Sequence, residues 1–218
     1  MMAERVVIVN ASELVTLRGP ERARAKQEMS ELSIIRNGAV AISDGVIADV
    51  GKTDSILRDH QATGTTRIDA KNRVVMPGFV DPHTHLVFAG SREFELEHKA
   101  KGKSYMELLK EGGGLYRTVA DTRNASEEEL REQSATRLES MVAHGTTTLE
   151  AKSGYGLDRD VELRMLETAR WLGETHDATI VRTFLGAHAV APEFEGRPDE
   201  YIDFVIEEVM PEVARREL

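Results

Sequence analysis

The feature that most restricts this chain is an alternation of strand and helix patterns that sets in after Asp69. Arg73 to Val80 is a compact apolar run interrupted by Pro77-Gly78 and reads as a strand, and Thr146 to Glu150 and Thr179 to Leu185 read as two more. Between them Ser126, with Glu129 three residues on, forms a capping box. Leu130, Leu138, Met141 and Val142 then mark a helical stripe that Gly145 closes as a left-handed stop. Arg159 to Leu172 reads as a second helix, and Ile202, Val205, Ile206 and Val209 read as one face of a last helix that Pro211 kinks or ends. The order β, α, β, α, β, α with short connections implies an α/β fold with a parallel sheet and right-handed crossovers, either doubly wound or a (β/α)8 barrel. A complete barrel takes about 250 residues. Only three βα units are counted from Met76 to Leu218, so residues 76–218 read as the first units of a truncated array.

Residues 1–75 follow a different grammar. Val6 to Val9, Leu14 to Leu17, Ala39 to Ile42 and Val46 to Val50 are short, largely β-branched runs, which predicts a small antiparallel unit. Asp44-Gly45 between the last two favours a type I′ hairpin turn. Arg18 to Glu31 is charged and carries Gly19-Pro20; without a sustained period it is expected to be an exposed loop or a frayed helix. The boundary between the two units is placed near Met76.

Composition narrows the chemistry. The 218 residues carry 28 Lys+Arg against 38 Asp+Glu, a formal charge of -10, which opposes nucleic acid or an anionic membrane as the partner and favours a small-molecule substrate. With no cysteine, disulfides, thiolate metal sites and cysteine nucleophiles are excluded, and His, Asp, Glu and Lys remain as metal ligands. No apolar stretch approaches the roughly 20 residues that span a bilayer, and Met1 to Leu17 alternates too much for a signal peptide, so a cytoplasmic location is expected.

Asp81-Pro82-His83-Thr84-His85 follows the first strand of the α/β array. In extended chain, residues two apart share a face, so His83 and His85 present both imidazoles in one direction, an arrangement suited to a metal ion. A bare H-x-H is weak by itself. Its place at the C-terminal end of a barrel-type strand, where catalytic groups of barrel enzymes sit, strengthens it. Lys152 is expected to form an ion pair with Glu150. Gly112 to Gly114 lacks the Gly-Lys-Ser/Thr of a phosphate loop, is not followed by a helix opening at Leu115-Tyr116-Arg117, and reads as a mobile loop over the pocket. His60, His98, His144 and His176 lie in polar or helical contexts and are expected to be structural.

Val75-Met76-Pro77-Gly78-Phe79-Val80-Asp81-Pro82-His83-Thr84-His85 resembles the first-strand signature of the amidohydrolase superfamily. Four further stretches, Ala89-Gly90-Ser91-Arg92-Glu93-Phe94, Gly112-Gly113-Gly114, Glu150 to Leu157 and Leu185-Gly186-Ala187-His188, make the chain similar to the imidazolonepropionase family within it. This resemblance implies a partial (β/α)8 metal-dependent hydrolase barrel preceded by part of a small β-sandwich domain. It implies hydrolysis of the ring of 4-imidazolone-5-propanoate to N-formimidoyl-L-glutamate, using one divalent metal ion, zinc or iron, held by His83 and His85. Arg92 would pair with the propanoate carboxylate and Tyr155 would donate to that carboxylate or to an imidazolone oxygen. His188 would contact the attacked carbonyl or handle charge on the ring, acting both as substrate contact and as catalytic group, and Tyr105 would line the pocket. The family pattern also needs a histidine from a middle strand and an aspartate from the last strand, which these 218 residues do not contain. The isolated chain is therefore expected to be inactive, and the complete enzyme to be a homodimer. The alternatives are another amidohydrolase of cyclic-amidase or deaminase type, and a non-catalytic remnant whose sheet edge pairs with a complementary chain.

Overall fold

Asp44 and Gly45 both take positive φ, 51° and 78°, and so make the primed turn that joins β2 (Ile34–Ser43) to β3 (Val46–Lys52) as an antiparallel hairpin. The computed structural model containing this turn describes residues 5–60, 63–104, 107 and 113–218, and the chain divides into two units, Met1–Pro77 and Gly78–Leu218. In the first unit β1 (Arg5–Val15) lies antiparallel to β2. The two apolar runs Val6 to Val9 and Leu14 to Leu17 thus fall in one strand and its exit. Asn10, at φ 59°, sits at the register shift between Ile8 and Ala11, and this bulge lets the strand run through a polar break that reads as an interruption. The expected antiparallel unit is a mixed sheet instead. Two short strands, β4 (Thr66–Asp69) and β5 (Val74–Val75), pair parallel to β1. Val7, Val9, Ala39 and Ala41 alternate onto one face beneath Ile56 of α1 (Thr53–Asp59). Residues 26–30 form an exposed 3-10 turn within the charged segment.

The second unit is built on three parallel strands in the order β6 (Phe79–Thr84), β7 (Thr146–Lys152), β8 (Thr179–Thr183). Leu149 and Ala151 of β7 face a core shared with Leu130 and Leu138 of α4 (Glu127–Ala143) and with Met165, Ala169 and Leu172 of α5 (Arg159–Thr175). Both helices start on caps. Ser126 Oγ accepts the Glu129 N–H at 3.1 Å while the Glu129 carboxylate accepts the Ser126 N–H at 2.8 Å, and Asp158 accepts from the N–H groups of Asp160 and Val161. Gly145, φ 97°, ends α4 as expected. Its buried stripe runs through Leu130, Ser134 and Leu138 rather than out to Val142, which is exposed.

Among the described residues, two helices beyond the expected one lie between β6 and β7, α2 (Phe94–Ala100) and α3 (Gly114–Asn124). The expectation that Leu115-Tyr116-Arg117 opens no helix is therefore corrected. These residues form the first turn of α3, whose buried positions Thr118, Val119 and Thr122 present little apolar periodicity. Gly113 and Gly114 are buried, and the Gly114 N–H donates to Glu95 Oε1 at 2.6 Å, so this part of the glycine run is anchored; Gly112 lies outside the described residues.

After β8, α6 (Pro198–Phe204) passes through a π turn at Val205–Val209 into α7 (Met210–Arg215). Pro211 cannot donate to the helix ladder, and the wider turn before it accommodates the ring without ending the helix. The face it buries is Tyr201, Val205 and Val209. Ile202 and Ile206, expected on that face, are exposed.

Candidate metal-hydrolase site

The C-terminal ends of β6, β7 and β8 carry the chemistry. Pro82 removes a ladder donor from β6, the pairing with β7 shifts register between Asp81 and Thr84, and Thr84 Oγ donates to Glu150 O at 2.6 Å where the strand ends. His83 is exposed, with its N–H bonded to Asp81 Oδ1 at 3.2 Å, and His85 follows the last strand residue. Their ring centroids are 6.1 Å apart in an edge arrangement. His85 stacks on His188 at 4.6 Å and 13°, and lies 4.6 Å from the ring of Tyr155. Tyr155 and His188 are 5.4 Å apart. Four of the residues singled out in the sequence thus form one aromatic cluster drawn from the end of β6 and from the segments that follow β6, β7 and β8.

Arg92 joins this cluster through a cleft of about 440 Å³ whose lining includes His85, Phe88, Ser91, Arg92, Thr118, Arg137 and Tyr155. Among the described residues two guanidinium groups and no carboxylate line it directly, with Glu95 Oε1 standing 3.9 Å behind Arg92 Nε, so the lining suits an anion although the chain is acidic overall. Tyr105 lies outside the described residues. Lys152 Nζ bonds Glu150 Oε1 at 2.6 Å, the expected pair, and Thr183 Oγ donates to the same oxygen at 2.6 Å. These two bonds hold the Glu150 carboxyl below its ordinary range. His60, His144 and His176 cap the ends of α1, α4 and α5, and His98 meets Phe94 within α2, so each is engaged locally.

Burial, with the neighbouring His188 and His83, lowers the His85 pKa from 6.5 to about 4, against a hydrogen bond to the Ser153 backbone that opposes the shift. The ring is therefore neutral at pH 7, and its Nδ1 is buried without a hydrogen-bond partner. A neutral imidazole with an orphaned nitrogen fits a metal ligand, as does the adjacent His83 ring. Among the described residues no group of three or more His, Asp or Glu side chains is placed to hold a metal, so the fit is of two ligands. His188 Nδ1 lies 3.2 Å from Gly154 O. A carbonyl only accepts, so Nδ1 carries the hydrogen and Nε2 of the neutral ring is an acceptor.

Sequence reasoning did not single out Arg137 or Glu162. Arg137 donates to Leu86 O at 2.8 Å and Phe88 O at 2.7 Å, stacks 3.7 Å over the Phe88 ring, and has its pKa lowered by burial to about 10. Glu162 receives three N–H groups of the loop bearing Tyr155. The glycines flanking Tyr155 were a partial signal, since a tight loop turns backbone donors inward and needs an acceptor for them.

An amidohydrolase family model matches residues 66–115, the stretch that holds His83, His85 and Arg92. In the α/β class that this fold defines, a triazine hydrolase from Arthrobacter aurescens aligns with a TM-score of 0.55 at 17% identity, covering 94% of this chain and 43% of that one. The sequence goes further than the fold. Imidazolonepropionase from Geobacillus kaustophilus is 51% identical over 95% of this chain and 50% of its own length. That from Brevibacillus brevis is 49% identical over 100% of this chain and 52% of its own. The chain is similar to the imidazolonepropionases along nearly all of its residues, and it spans about half the length of the curated relatives it matches. Among the described residues no helix is long and apolar enough to cross a membrane.

Proposed function

We propose that the protein carrying this sequence hydrolyses the ring of 4-imidazolone-5-propanoate to N-formimidoyl-L-glutamate, as a cytoplasmic homodimer dependent on one zinc or iron ion. The observation that carries the reading is the convergence of His85, Tyr155 and Arg92 on one cleft, with His188 stacked on His85. His83 and His85 would hold the metal, which when bound supplies an acidified water and polarises the ring carbonyl. Arg92 lines the cleft with its Nε 3.9 Å from Glu95 Oε1, which leaves its terminal nitrogens to pair with the propanoate carboxylate. Tyr155 donates to that carboxylate or to the ring oxygen. His188, with Nδ1–H held by Gly154 O, offers Nε2 to the ring N–H or to the proton released by water. Water oxygen adds to the ring carbonyl carbon, the carbonyl carbon to nitrogen bond breaks, and the nitrogen takes up a proton. Tyr105 is assigned to the same pocket through the resemblance alone.

The second unit is read as the first strands of a (β/α)8 barrel, and the first as part of a composite β-sandwich. One face of the parallel sheet supports the former. Val80, Thr148, Glu150 and Val181 share the side away from the helices in register, and Val80 and Val181 are 65% and 53% exposed there, as residues that line a barrel interior would be.

Arg92→Met in the natural full-length protein tests the substrate assignment. The expected result is a KM for 4-imidazolone-5-propanoate raised about tenfold or more with a smaller change in kcat, as for loss of a charged binding contact. If both constants stay at wild-type values, the propanoate is bound elsewhere and a different cyclic amide or an amine-bearing ring becomes the better substrate class.

A further inference from the structure

Glu162 lies in the first turn of α5, is 1% exposed, and has no part in the chemistry assigned above. A carboxylate removed from water needs strong compensation, and this one finds it in a single short loop. Its Oε2 accepts the Gly154 N–H at 2.9 Å, and its Oε1 accepts the N–H groups of Gly156 and Leu157 at 2.8 and 2.9 Å. The loop's carbonyls are held as well. Arg123 donates from Nε to Gly156 O at 2.7 Å and from Nη2 to Leu157 O at 2.9 Å, and His188 Nδ1–H donates to Gly154 O at 3.2 Å. The glycines fit this cradle closely. A Cβ at Gly156 would stand 2.9 Å from Glu162 Oε1, and Gly154, at φ 107°, has His188 Cβ only 2.7 Å from where its own would be. Tyr155 sits between the two glycines, so the path of the loop decides where its phenol stands relative to His85 and His188.

We propose that Glu162 is a positioning residue for Tyr155: its buried carboxylate fixes residues 154–157 and thereby aims the tyrosine into the cleft. This rests on the reading of Tyr155 as a substrate contact. Glu162→Gln keeps the size but replaces one acceptor oxygen by an NH2 that faces a backbone N–H, so the loop must move or lose bonds. Arg123→Lys releases the carbonyl side while leaving Glu162 in place.

Hydrogen exchange on the full chain reads the cradle without reference to any reaction. The amides of Gly154, Gly156 and Leu157 are expected to exchange about tenfold faster in Glu162→Gln, and faster in Arg123→Lys, while those of α4 keep wild-type protection. In the natural full-length protein Glu162→Gln is expected to raise KM for 4-imidazolone-5-propanoate about tenfold, yet to add less than about twofold once Tyr155→Phe is present, because both act through one phenol. Unchanged exchange at residues 154–157 in both variants overturns the cradle, whatever the substrate. Faster exchange with additive effects of Glu162→Gln and Tyr155→Phe overturns the positioning role alone. A Tyr155→Phe protein with wild-type KM removes the reading of Tyr155 on which the role depends, and the role with it.

Discussion

Protonating His85 puts a positive charge beside two other imidazoles in a half-buried site, and the pH dependence of folding should register it. The folded pKa of about 4 lies below the ordinary 6.5, so the unfolded chain binds a proton that the folded chain refuses between those values. The stability of the metal-free chain should accordingly fall as pH drops from about 6.5 to 4 and be indifferent to this group above that window. Urea unfolding at pH 7 and 4.5 checks it: His85→Asn should lose less stability over the interval than wild type, and equal losses would show that His85 is not the group responsible. Gly154→Ala, which places a Cβ against His188 at a φ of 107°, should cost about 1–3 kcal/mol and displace the Tyr155 loop. At this scale the sequence displayed what carries its own chemical label. The imidazoles at 83, 85 and 188, the guanidinium at 92 and the phenol at 155 stood in distinctive motifs, and the fold brings their segments together. Glu162 and Arg137 carried no such label. A glutamate or arginine on a helix reads as a solvated face until the chain's path shows which backbone groups it meets.

Helix α4 shows why some elements were legible. Its start was written in Ser126 and Glu129 and its end in Gly145, each a local rule that tertiary contacts did not override. Ser126→Ala should cost about 1 kcal/mol in chemical denaturation through loss of the N-cap bond, and a change below about 0.3 kcal/mol would mean that the Glu129 half of the box suffices. Helix α3 stayed hidden because Thr118 and Thr122 occupy its buried face. Threonine gives no apolar period, yet Thr122 Oγ takes the Ala89 N–H at 3.1 Å and ties the helix to the loop after β6. The strand β1 was divided in the sequence for the opposite reason, since Asn10 resembles a turn residue and acts here as a bulge. The last helix was placed correctly but rotated in expectation. Val205 and Val209 are buried as expected, but the rest of that face is Tyr201, which buries its ring and donates to Gly186 O at 2.5 Å, in place of Ile202 and Ile206.

At the scale of the whole molecule, the α/β class followed from the alternation of patterns, while the number of helices between β6 and β7 did not, because short or threonine-lined helices leave no stripe to count. The core that supports the site is shared by β7, α4 and α5, with Leu138, Leu149 and Leu172 fully buried in it. Leu138→Ala should destabilise the second unit by about 2–5 kcal/mol, seen as a lowered denaturant midpoint with an unchanged slope. The proposed function requires a metal-dependent hydrolytic cleft at the end of β6, and one assay addresses it directly. In the natural full-length protein, conversion of 4-imidazolone-5-propanoate to N-formimidoyl-L-glutamate should stop on chelation, return on adding zinc or iron, and fall by about a thousandfold or more in His85→Ala, as for removal of a metal ligand. Undiminished turnover by His85→Ala, or turnover indifferent to chelation, would contradict it.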